Sequence, residues 1–133
     1  MAETKAIAAE LMELLGTGRQ VRPFSARDPG FGLAQAYDVV AEVRAMRVAR
    51  GETPVGRKIG FTNRTIWQHY GVSGPMWNYV FDTTLRDLAA TGGTFTLAGL
   101  AEPRSEPEIV LHLARAPKAG RNEDELLDCV DWI

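Results

Sequence analysis

The chain has 133 residues, of which 45% are apolar and 24% charged, with a formal net charge of −2. That length and balance describe one globular domain and give no electrostatic case for nucleic-acid or membrane binding. A lone cysteine, Cys129, excludes an internal disulfide and fits a reducing compartment.

The N-terminus is polar and no long apolar run follows it, so neither a signal peptide nor a transmembrane span is expected, and a soluble cytoplasmic protein is the default. Residues 3–15 carry Ile7, Leu11, Leu14 and Leu15 at helical spacing, with Gly16 and Gly18 as stop signals. Residues 19–32 read as a linker, in which Ser25-Ala-Arg-Asp-Pro has turn chemistry. A longer helix is predicted from Leu33 to Arg50, with Leu33, Tyr37, Val40, Ala41 and Val48 as its face, Arg44 and Arg47 at the margin and Gly51 closing it. The first 52 residues thus form a helical segment, and residues 53–133 a second, strand-rich part.

Val55 to Phe61 alternates as a strand. One face carries Val55, Arg57, Ile59 and Phe61; the other carries Lys58 between Gly56 and Gly60. Glycines on both sides allow a ligand or another backbone to come close to Lys58, although a surface lysine on an edge strand would look the same. Asn63 is placed to cap a short helix through Trp67 and Tyr70 that ends at Gly71. An aromatic-rich strand follows, closing on Phe81 and Asp82; Asp82 is either a buried acid or a turn residue. The aromatics Trp67, Tyr70, Trp77, Tyr79 and Phe81 read as core rather than as a stacking platform. Thr91-Gly-Gly-Thr is a turn and not a phosphate loop, because no helix opens after it. Phe95 to Leu100 is predicted as a short strand.

Glu102-Pro-Arg-Ser-Glu-Pro-Glu-Ile-Val-Leu-His-Leu113 places two carboxylates, Glu106 and Glu108, at the entrance of a half-buried strand over Ile109–Leu113. In an extended chain both point to one side, with Cα atoms roughly 7 Å apart. Two like charges held together ask for something positive between them: a metal, an Arg or a Lys. A solvated strand entrance is the bland alternative. His112 lies on the same face but roughly 13 Å further along, too far to be a co-ligand. Pro117 to Arg121 is read as a loop. Asn122 then caps a helix with Glu125 completing a capping box, its apolar face being Leu126, Leu127, Val130 and Ile133. The chain ends in mid-pattern, which reads as truncation.

Taken in order, Ser25-Ala-Arg-Asp-Pro-Gly, Ala36-Tyr37, Gly56-Arg-Lys-Ile-Gly-Phe-Thr62, Gly71-Val, Pro75 with Trp77, Phe81-Asp82 and Pro103-Arg-Ser-Glu-Pro-Glu-Ile109 resemble the 2-keto-4-pentenoate hydratase and 4-oxalocrotonate decarboxylase family of the fumarylacetoacetate hydrolase superfamily. The resemblance covers nearly the whole chain. It implies an α+β fold in which N-terminal helices lead into a mixed β-rich barrel or roll, here cut short. It implies Mg²⁺ or Mn²⁺ held by Glu106, Glu108 and a third acid beyond Ile133, with Lys58 and Asp82 in the same pocket. The substrates implied are small 2-oxo or 2-hydroxy-dienoic acids from the breakdown of aromatic compounds. The leading activity is hydration of 2-hydroxypenta-2,4-dienoate to 4-hydroxy-2-oxopentanoate. Decarboxylation of 4-oxalocrotonate is the alternative, and an inert fragment or non-catalytic subunit the reading of a different class. A homo-oligomer, or a complex with a related decarboxylase or an aldolase, is implied as well. Lys58, partly buried beside a cation, is expected to have a depressed pKa and to exchange protons with the substrate or polarise its carboxylate. Asp82 would position or activate the water. Cys129 has no role in such chemistry.

Overall fold

The computed structural model describes residues 2–120 and 122–133. The chain divides into two compact units, Met1–Glu102 and Pro103–Ile133.

In the first unit, α1 (Ala2–Leu14) packs against α3 (Leu33–Ala49). Ala8 on α1 and Val39 on α3 are buried. The inward stripe of α3 is Ala36, Val39, Val40, Val43, Met46 and Arg47, while the predicted face members Leu33, Ala41 and Val48 are exposed. The helix is therefore rotated by about one residue, roughly 100°, from the expected orientation. Arg47, placed at the margin from sequence, is one of the buried positions. The linker holds a short helix, α2 (Phe24–Arg27), tied to α1 by a two-pronged pair in which Arg27 donates to both carboxylate oxygens of Glu10 at 2.8 Å.

The helical layer covers one face of an antiparallel pair, β1 (Pro54–Gly60) and β2 (Met76–Phe81). Gly56 pairs with Val80, Arg57 with Tyr79, Lys58 with Asn78 and Ile59 with Trp77, after an irregularity between Pro54 and Gly56. Trp77, Tyr79 and Phe81 alternate onto the face that meets α3: the Tyr37 ring lies tilted against Trp77 at 5.4 Å, and its hydroxyl accepts from the Trp77 N–H at 3.3 Å. Arg57 spreads over Trp77 at 4.4 Å. Phe81 is only 2% exposed, so the core reading holds for it, whereas Tyr70 is exposed.

Between the strands, a 3-10 turn (Arg64–Ile66) runs into α4 (Trp67–Tyr70). The Asn63 side chain accepts from the Thr65 N–H at 3.0 Å, and Gly71 ends the helix in the left-handed region, as the capping signals predict. Phe95 to Leu100 is not the expected strand: it has no regular structure apart from a turn at Ala98 and Gly99. Its Gly99 lies against the end of α1, accepting from the Gly18 N–H at 3.0 Å, and a Cβ on Gly99 would sit within 2.4 Å of the Gly16 carbonyl oxygen. Only glycine fits that approach.

In the second unit, residues 103–111 have no regular structure, and the strand expected over Ile109–Leu113 is reduced to β3 (His112–Leu113). The capping box at Asn122 and Glu125 opens α5 (Glu123–Leu127). The helix does not continue to Ile133 as predicted. The chain turns at Asp128 and runs back as β4 (Val130–Trp132), antiparallel to β3. Cys129 is buried, with its thiol directed at the Glu125 carbonyl, and its own carbonyl accepts from the Ala114 N–H at 2.9 Å. His112 stacks flat on Trp132 at 5.0 Å and pairs with Asp131 at 2.5 Å. Backbone pairing and this stacking outweigh the helical period of four apolar residues. Arg121, with which the predicted loop ends, lies outside the described residues. The mixture of helix and strand matches the expected α+β class; the described residues form two two-stranded sheets and no closed barrel.

Candidate functional site

Lys58 sits in the middle of β1, opposite Asn78, on the face of the sheet turned away from the aromatic side chains. It is exposed, not partly buried as expected, because the helices cover only the other face. A Cβ added to Gly56 would meet nothing within 4 Å, and one on Gly60 would reach only the Met76 carbonyl oxygen at 4.0 Å. The two glycines thus leave open space on either side of the lysine stem.

Asp82 follows β2 directly and is exposed in a turn. Its Oδ1 accepts two backbone N–H bonds, from Thr53 at 3.0 Å and from Thr83 at 2.8 Å. Its own N–H donates to the Thr53 carbonyl at 2.9 Å. The turn reading of this residue is therefore the structural one, and the turn fixes the carboxylate plane. Asp82 lies four residues past Asn78, the cross-strand neighbour of Lys58, so the two residues stand roughly 13 Å apart along the ladder.

Behind Asp82 is a buried ionic group that sequence reasoning missed. Glu52 accepts from Arg47 Nε at 2.9 Å and Arg47 Nη2 at 2.5 Å, and also from Arg50 and from the Thr83 hydroxyl. Arg47 lies over the Phe81 ring at 3.8 Å. The hydrogen bonds from Arg47 hold the Glu52 carboxyl far down, from an ordinary 4.5 to about 2, with Thr83 and Arg50 adding to the effect against the cost of burial. The only sequence signal was an Arg in the last turn of a helix with a Glu just past its end.

Glu106 and Glu108 belong to the second unit, in the irregular segment before β3, and both are exposed. The bland reading of a solvated segment and the ligand reading share that geometry. Among the described residues no group of three His, Cys, Asp or Glu side chains gathers as a metal site. The donor chemistry of the pair, two carboxylates, is of the kind that suits a hard divalent cation and would supply part of its coordination.

No family model matches the chain. It is 33% identical over 109 residues to a 2-keto-4-pentenoate hydratase of Burkholderia vietnamiensis, covering 82% of this chain and 40% of the relative. It is 30% identical over 127 residues to a 4-oxalocrotonate decarboxylase of a Pseudomonas species, covering 96% of this chain and 48% of the relative. Among solved structures it resembles the 4-oxalocrotonate decarboxylase of Pseudomonas putida G7 complexed with magnesium and adipate, with a TM-score of 0.59 and 27% identity over 62% of this chain and 31% of that one. These relatives are lyase-type enzymes. The chain belongs to the 2-keto-4-pentenoate hydratase and 4-oxalocrotonate decarboxylase family. It spans about half the length of the curated relatives it matches.

Proposed function

We propose that the chain contributes Lys58, Asp82, Glu106 and Glu108 to a metal-dependent hydratase that converts 2-hydroxypenta-2,4-dienoate to 4-hydroxy-2-oxopentanoate in aromatic-compound catabolism. The observation that carries this reading is the 33% identity to a hydratase over most of the chain. Glu106 and Glu108 would hold the divalent metal; the solved 4-oxalocrotonate decarboxylase of Pseudomonas putida G7 is complexed with magnesium in one structure and with calcium in another. When bound, such a cation supplies a Lewis acid for an enolate oxygen.

The residues of the chain do the rest. The Lys58 ammonium, on an exposed strand position between two glycines, attracts the substrate carboxylate and can pass a proton to or from the dienol. Asp82 stands roughly 13 Å along the same ladder, a gap that two side chains and a small dienoic acid together can span. With Oδ1 anchored by two N–H groups, its other oxygen is aimed and can orient the water that adds to the conjugated double bond. The same reading carries a cytoplasmic homo-oligomer, with a related decarboxylase or an aldolase as further partners. The large apolar side chains exposed in both units support association.

Decarboxylation of 4-oxalocrotonate is the second reading, favoured by the likeness to the Pseudomonas putida structure. Incubating the protein with Mg²⁺ and each substrate separates the two: consumption of the dienoate without release of carbon dioxide is expected. Lys58→Ala should lower turnover by about 100-fold, the scale of one lost acid–base group. Unchanged turnover would remove Lys58 from the mechanism. Titration with Mn²⁺ tests the inert-fragment alternative, and Glu106→Gln should weaken binding of the ion.

A further inference from the structure

The segment that connects α3 to β1 and the turn that follows β2 lie side by side. Thr53 and Asp82 are joined by two bonds, Thr53 N–H to Asp82 Oδ1 at 3.0 Å and Asp82 N–H to the Thr53 carbonyl at 2.9 Å. The residues next to them in sequence, Glu52 and Thr83, are joined behind this pair. The Thr83 hydroxyl donates to Glu52 Oε2 and accepts from Arg47 Nη2 at 3.1 Å. Arg47 and Glu52 are 9% and 7% exposed, and Phe81 closes the group from the side. Among the described residues every buried side-chain nitrogen and oxygen has a partner.

A buried ion pair gives little net stability compared with apolar side chains of the same volume. What it gives is a fixed geometry, since each partner must meet the other at one distance and angle. Here the fixed geometry falls on both flanks of Asp82.

We propose that Arg47, Glu52 and Thr83 form a clamp that positions the Asp82 carboxylate, and that they are positioning residues for the chemistry assigned to Asp82. The clamp rests on the reading of Asp82 as an acid of the site. It holds Thr53 and Thr83, the two residues whose N–H groups grip Oδ1, and so sets where Oδ2 points. The depressed Glu52 pKa keeps the clamp charged through the whole neutral range.

Removing Arg47 or Glu52 leaves a buried charge unpaired and can unfold the protein. Thr83→Val keeps the shape and removes only the hydroxyl. In the full chain, amide hydrogen exchange at Thr53 and Thr83 should then quicken about tenfold, the size of one lost hydrogen bond, while the β1–β2 ladder amides stay protected. Thr83→Ser should restore both rates. With dienoate as substrate, Thr83→Val should lower kcat and leave KM in place. Exchange that is unchanged at Thr53 and Thr83, or that quickens equally through the ladder, overturns the clamp. If Asp82→Asn keeps full turnover while Thr83→Val still releases those two amides, the clamp stands and the catalytic reading of Asp82 is what fails.

Discussion

Glu52 shows how much one buried carboxylate can control. Three residues donate to it, and its pKa falls to about 2 from an ordinary 4.5. A folded-state pKa below the unfolded value means that the unfolded chain binds the proton more readily. The stability from this group is therefore fully present above about pH 4.5 and is lost as the pH falls toward 2. Thr83→Val, which takes one of the donors from Glu52, should flatten that part of the acid-denaturation curve, measured by circular dichroism between pH 5 and pH 2. A curve of unchanged steepness would show that other carboxylates govern the acid limb. Lys58 is the opposite case. Its identity and its glycine neighbours are readable from sequence, but its exposure depends on which face α3 covers.

At the scale of elements, the outcome turns on competition between local period and pairing. The boundaries of α1, α3, β1 and β2 follow from apolar spacing and glycine stops, because those runs are long enough for one period to dominate. The orientation of α3 was not legible. Its inward stripe includes Arg47, whose charge is neutralised by a residue beyond the helix end, and no helical period contains that partner. The end of the chain failed for a related reason. Leu126, Leu127, Val130 and Ile133 fit a helical face, yet Val130–Trp132 pairs with His112–Leu113 instead. The stacked His112 and Trp132 rings and the His112–Asp131 pair hold that hairpin, and the bond to His112 draws the Asp131 carboxyl below its usual range. Trp132→Ala should open β3–β4, seen as faster exchange of the Ala114 amide, whose bond to Cys129 closes the hairpin. An unaffected Ala114 amide would mean that the rings do not hold the strands. The candidate site residues, in contrast, come from motifs that stand in a set order along the sequence. What the sequence could not show was that Glu106 and Glu108 lie in an irregular segment with only two residues of strand after it.

Across the whole molecule, burial is sparse. Ala8, Val39, Phe81 and Cys129 are the buried apolar residues among those described, while Leu85, Leu88, Ile109, Val110 and Ile133 are exposed. Apolar side chains in that number favour contact with other protein surface. Sedimentation should show concentration-dependent association of the purified chain, and Ile109→Lys, at the most exposed of these side chains (81%), should reduce it. A monomer at all concentrations would argue against association through these surfaces.

The bond between Thr83 and Glu52 joins residues 31 apart, and that from Arg47 to Thr83 joins residues 36 apart. Closing so long a loop costs chain entropy that local contacts do not return, so these bonds form only once both strands have found their register. They should be absent from the folding transition state and present in the native state. Interactions of that kind act as a brake on unfolding. Thr83→Val should steepen no part of a denaturant chevron; it should lift the unfolding limb about tenfold and leave the refolding limb where it was. The bonds that aim Asp82 would then also set how long the first unit stays folded once made.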